Sequence, residues 1–128
     1  MADLEARRVL VVEDEFYLAR DLAETLKAQG AAIMGPFPRR DAALAALAGE
    51  TPDCAVIDVN LGGGADFGLA DELQARGVPF LFFTGYDPEV IPERFSGVRR
   101  MEKPVDSLRL ASAVEALCSA DLAAVNTG

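Results

Sequence analysis

The sequence predicts an α/β domain in which a doubly wound parallel sheet carries helices on both faces. Three observations carry that expectation. Five short apolar runs, rich in β-branched residues, recur along the 128 residues and read as buried strands. Helical or turn-forming stretches separate them, so strand and helix alternate five times. Right-handed crossovers then require the strands to run parallel. No internal repeat, linker or low-complexity block interrupts the pattern, and the length suits one domain over 1–128, with a core from about 7 to 118.

Taken in order, Arg8 to Val12 is the first strand, apolar enough to be central. The acidic run Glu13-Asp14-Glu15 follows it. A helix is expected from Phe16 to Gln29, with Ala19, Leu22, Ala23 and Leu26 as its buried stripe and Gly30 as its stop. Ala31 to Phe37 is a weaker second strand, punctuated by Gly35-Pro36. Arg39 to Ala48 is an Ala/Leu helix closed by Gly49. The third strand lies in Cys54 to Leu61 and runs out at Asp58, just before Gly62-Gly63-Gly64. Phe67 to Arg76 is a helix capped by Gly77. Val78 to Thr84 is the fourth strand. Residues 85–95 contain Pro88 and Pro92, so the fourth helix is expected to be short or irregular, and more mobile than its neighbours. Val98 to Glu102 is a poorly apolar edge strand. Asp106 can cap a last helix over Ser107 to Leu117, followed by a frayed tail after about Leu122.

Composition narrows the function. Twelve basic against 21 acidic residues leave a net charge of −9. That disfavours binding to nucleic acid or an anionic membrane, because the cations that neutralise phosphates are missing. There is no histidine, which excludes histidine-based triads and histidine-ligated zinc. Cys54 and Cys118 read as buried thiols rather than a disulfide, in keeping with a reducing cytoplasm. No signal peptide or long apolar run is present.

Polar groups gather where the strands end. Glu13 and Asp14 follow the first strand, Asp58 ends the third, Thr84 ends the fourth and Lys103 ends the fifth. In an open α/β sheet that edge faces the ligand crevice. Singly, each has a plainer reading: a cap, a turn former, a strand former or a solvated charge. Their coincidence is what points to a site. Two carboxylates about 4 Å apart repel by roughly 4 kcal/mol at an effective dielectric of 20, so three need protonation or a cation. Hard oxygen donors suit Mg²⁺, which takes one or two carboxylates, several waters and a phosphate. A lysine ammonium and a threonine hydroxyl nearby could hold phosphoryl oxygens during transfer.

With these residues the chain resembles a response-regulator receiver domain over about Arg7 to Leu117. The run Phe82-Phe83-Thr84-Gly85-Tyr86 is similar to that of a single-domain subgroup nicknamed FAT GUY. The resemblance implies a flavodoxin-like fold with sheet order 2-1-3-4-5. It implies that Asp58 accepts a phosphoryl group from a sensor histidine kinase or phosphotransfer protein. Asp14 would bind Mg²⁺ directly, Glu13 mainly through water, and the Asn60 backbone carbonyl would be a further ligand. Thr84 would be the switch hydroxyl, and Lys103 would pair with the phosphoryl group and form a cis bond to Pro104. The protein would be a bacterial, cytoplasmic, stand-alone regulator, catalysing only its own phosphorylation and dephosphorylation, and acting through protein contacts or as a phosphate sink. The triple glycine would give the kinase access to Asp58; it lacks the Lys and Ser/Thr of a P-loop.

One departure matters. Family members usually carry an aromatic residue three before the lysine, where this chain has Arg100. Tyr86, two residues after Thr84, is the candidate replacement in the switch. An alternative reading follows from Arg100: a receiver-like module that binds a protein without phosphorylation. A dehalogenase-like phosphatase is disfavoured, because its second aspartate would fall at Asn60. A dinucleotide oxidoreductase is weaker still, since no G-x-G-x-x-G follows the first strand.

Overall fold

The computed structural model describes residues 4–59, 67–84 and 91–127, with side chains through 118. Five strands, β1 (Arg8–Val12), β2 (Ala32–Phe37), β3 (Cys54–Asp58), β4 (Phe80–Thr84) and β5 (Arg100–Glu102), form one sheet in the order β2-β1-β3-β4-β5. Every pairing is parallel. The helices are α1 (Phe16–Ala28), α2 (Arg40–Leu47), α3 (Gly68–Ala75) and α4 (Ser107–Thr127). This is the flavodoxin-like order that the sequence resemblance implied.

Period-two alternation along each strand builds two cores. Val9, Val11, Cys54, Val56, Leu81, Phe83 and Met101 point to one face, where Leu22 and Leu26 of α1 and Leu110 and Val114 of α4 cover them. Leu10, Val12, Ala55, Ile57, Phe80 and Phe82 point to the other, against Leu47 of α2 and Leu69 and Leu73 of α3. Each fully buried Leu, Ile, Val or Phe contributes roughly 1.5–3 kcal/mol. Burial of both faces explains why β1 and β3 read as continuous apolar runs.

The element ends differ from the sequence expectation in ways the backbone explains. β4 begins at Phe80, not Val78, because the Val78 N–H closes α3 by donating to Leu73 O (2.9 Å) and Pro79 has no N–H to give. β5 begins at Arg100, not Val98, whose N–H donates to Phe95 O (2.9 Å). α4 does not stop near Leu117 but continues to Thr127. Neither Gly nor Pro occurs within α4, and Ala and Leu dominate it, so nothing local ends the helix. Between β4 and β5 the described residues hold a three-residue 3₁₀ turn, Glu93–Phe95, in keeping with a short or irregular fourth helix. Arg94 fastens that turn to α3 with two hydrogen bonds to Asp71 (2.7 and 3.0 Å).

β2 contains a feature that sequence reasoning treated only as punctuation. Leu10 pairs with Met34 but Val12 pairs with Phe37, so β2 carries one extra residue at a bulge. Gly35 allows it with φ at 100°. A Cβ there would lie 2.6 Å from Phe37 N and 3.0 Å from Val11 O. The Gly35–Pro36 bond is cis. Beyond the bulge, Phe37 O accepts the Glu13 N–H (2.9 Å), which fixes the backbone at the end of β1.

Candidate functional site

The rows of side chains facing α1 and α4 do not end where the strands do. Val9 and Val11 lead to Glu13, Cys54 and Val56 lead to Asp58, and Met101 leads to Lys103. The same alternation that buries aliphatic groups therefore brings two carboxylates and an ammonium to one place. Lys103 Nζ stands 2.8 Å from Glu13 Oε1 and 3.1 Å from Asp58 Oδ2. Glu13 and Asp58 are each 2% exposed. The exposed Asp14 completes the group: one oxygen from each of the three carboxylates lies within 4.8 Å of the others.

Glu13 is held at its backbone N–H and at its carboxylate. Its N–H is bound to Phe37 O, and Oε2 accepts the N–H of Glu15, the residue that caps α1 (3.0 Å). It thus serves the helix start as well as the site. Oε1 is buried and, among the described residues, has no hydrogen-bond donor beyond the ion-paired ammonium. Burial pushes the Glu13 carboxyl up to about 7, and the Asp58 charge pushes the same way. The Lys103 ammonium and the Glu15 N–H oppose the rise without cancelling it. For Lys103, burial pulls downward, but its hydrogen bond to Glu13 and the charges of Asp58 and Glu13 outweigh that and hold it above the usual lysine range.

Lys103 follows β5 directly, and its N–H donates to Thr84 O (2.6 Å), so the end of β4 positions the lysine. Its bond to Pro104 is cis, as the resemblance implied. Thr84 is half-buried at the tip of β4, one residue past Phe83, the register partner of Asp58. Arg100 is exposed on β5, opposite Phe82 and away from the carboxylates' row. Asn60 and Tyr86 lie outside the described residues, as does Gly62-Gly63-Gly64.

Sequence reasoning missed two residues here. The Phe83 ring lies under Lys103, with Nζ 5.1 Å from the ring centre, and steadies the ammonium through its π face. Its signal was alternation: Phe83 shares the inward row with Leu81. Arg40, the first residue of α2, lines a narrow cavity with Asp58, Val59 and Phe82. Nothing in its local sequence marks it. Beside the carboxylates, a groove of about 330 Å³ runs between α1 and β2, floored by Ala19, Ala23 and Pro36.

The carboxylate set suits Mg²⁺. It offers hard oxygen donors at mutual distances one ion can span. It also includes a buried carboxylate oxygen that lacks a second partner among the described residues.

No protein-family model and no curated protein matches the sequence. Solved structures do. SdrG from Sphingomonas melonis Fr1 is 33% identical, with a TM-score of 0.75 over 88% of this chain and 96% of that one. The N-terminal domain of a response regulator/sensory box/GGDEF three-domain protein from Carboxydothermus hydrogenoformans is 25% identical, with a TM-score of 0.79 over 93% of this chain and 99% of that one. The chain belongs to the response-regulator receiver domains. A receiver protein from Sinorhizobium medicae WSM419, 23% identical, shares the fold with a TM-score of 0.75 over 93% of this chain and 99% of that one. Within the receiver fold, the carboxylates and Lys103 stand at the C-terminal edge of the central strands, where open α/β sheets bind ligands.

Proposed function

We propose that this receiver domain takes a phosphoryl group onto Asp58 from a phosphohistidine of a sensor kinase or phosphotransfer protein, with Mg²⁺ held by Asp14, Asp58 and Glu13. The observation that carries the reading is Lys103 bridging Glu13 and Asp58 (2.8 and 3.1 Å) beside a third carboxylate. No such arrangement is needed to stabilise the fold: buried charges gain little over apolar packing.

The Asp58 carboxylate attacks phosphorus; the new P–O bond forms as the P–N bond to imidazole breaks. Lys103, already on Asp58 Oδ2, is placed to follow the negative charge onto the phosphoryl oxygens. Thr84, at the adjoining strand tip, can donate its hydroxyl to one of them. Mg²⁺ when bound supplies charge neutralisation to the carboxylates and phosphoryl oxygens. The backbone link from Lys103 N–H to Thr84 O couples the two responding residues, so a shift of β4's tip is felt at β5. The new acyl phosphate then biases a conformational equilibrium that a partner protein reads.

A second reading, a module that binds its partner without phosphorylation, is favoured by Arg100, which is exposed and cannot act as a buried aromatic switch. Titration with beryllofluoride separates the two. Uptake that requires Mg²⁺ and Asp58 supports phosphorylation; identical partner binding with and without it supports the alternative.

A further inference from the structure

The row that ends in Asp58 begins at Cys54, and the proposed phosphoryl chemistry leaves that end unused. Cys54 Sγ lies 2.7 Å from Cys118 Sγ of α4, across 64 residues of sequence. This is inside the ordinary contact distance of two non-bonded sulfurs. Both side chains are buried, at 0% and 4% exposure, in the core shared by α1, α4 and the sheet. The two sulfurs are not joined as a disulfide. No other cysteine exists in the chain, so exchange with a third internal thiol cannot occur.

We propose that Cys54 and Cys118 are an internal oxidation site, closed to a disulfide by a peroxide. One thiolate attacks a peroxide oxygen and becomes a sulfenic acid, releasing water after proton uptake. The second sulfur displaces hydroxide from it, and the S–S bond forms. Altogether two thiols lose two electrons and two protons, and hydrogen peroxide becomes two waters. The bond would pin α4 to the first residue of the strand that carries Asp58. The hydrogen bond to Cys118, and then burial, hold the Cys54 thiol well above its usual range, so the thiolate is scarce in the closed fold. The reaction therefore waits on opening of α4.

Expose the full chain to hydrogen peroxide, denature it under alkylating conditions, and measure intact mass and a non-reducing peptide map. The expected product loses the mass of two hydrogens, resists alkylation at both cysteines and yields one peptide joining Cys54 to Cys118. Its melting temperature rises by roughly 10 °C, because the bond closes a long loop. Dithiothreitol reverses all of this, and Cys118→Ser never shows it. Alkylation of both cysteines after exposure overturns the proposal. So does oxygen added at one cysteine alone, or a bond between two molecules. The mass readout on the unmutated chain stands even if a cysteine variant fails to fold.

Discussion

Lys103 Nζ lies between Glu13 Oε1 and Asp58 Oδ2, 2.8 Å from one and 3.1 Å from the other. One ammonium thus offsets two carboxylates, each 2% exposed. Lys103→Ala leaves Asp58 in place but removes the cation that would follow charge onto the phosphoryl group. Phosphoryl transfer to Asp58 is expected to slow by roughly 100-fold or more. Stopped-flow or gel-shift kinetics with a phosphoramidate donor measure it; a rate within twofold of wild type would show that the lysine has no part in transfer.

The raised Glu13 carboxyl makes the metal-free domain pH-dependent. Its folded value of about 7 lies above the ordinary 4.5, so the fold binds a proton that the unfolded chain releases. That stabilisation is complete below about 4.5 and is lost as pH rises through 7. In chelator, urea denaturation should show stability falling by on the order of 2–3 kcal/mol between those limits. Glu13→Gln, which stays neutral, should flatten the dependence. A profile for Glu13→Gln as steep as wild type would place the titration on another group.

Two glycines test how the β2 bulge holds the site. Gly35 has φ 100° and a Cβ would meet Phe37 N at 2.6 Å, whereas Gly77 has φ 72° and nothing within 4 Å. Gly77→Ala should cost about 1 kcal/mol, the backbone penalty alone. Gly35→Ala adds a backbone clash and should cost roughly 2–4 kcal/mol. It should also weaken Mg²⁺ binding, since Phe37 O anchors Glu13. Chemical denaturation and metal titration of the two variants compare these directly; equal costs would mean the bulge adapts freely.

Phe83→Leu keeps a buried apolar group of similar size but removes the π face under Lys103. Stability should fall by no more than about 1.5 kcal/mol. The phosphotransfer rate should fall several-fold, as the ammonium loses a guide worth roughly 0.5–1 kcal/mol. A large stability loss with an unchanged rate would make Phe83 a core residue only.

Much of this architecture was legible in the sequence because burial on both faces leaves strong marks. Val9 to Val12 and Cys54 to Ile57 are apolar on both faces, and the sheet order agreed with the resemblance carried by Glu13, Asp14, Asp58, Thr84 and Lys103. What stayed hidden depends on contacts between distant residues. The bulge at Gly35 appears only when β2 is set against β1. Phe83 looks like any strand aromatic until Lys103 arrives from β5. Cys54 and Cys118 meet only because α4 crosses the sheet. The length of α4 was underestimated because the Ala-rich stretch after Leu117 carries no Gly or Pro to mark where the helix ends.

Phosphorylation of Asp58 itself is the most direct test. Incubate the chain with phosphoramidate and Mg²⁺, measure the intact mass, then reduce the acyl phosphate with borohydride and locate the resulting homoserine by mass spectrometry. The expected result is one phosphoryl group per chain, on Asp58, absent with chelator and absent in Asp58→Asn. Phosphorylation of Asp58→Asn at the wild-type level, or no acyl phosphate in wild type with Mg²⁺ present, would contradict the account.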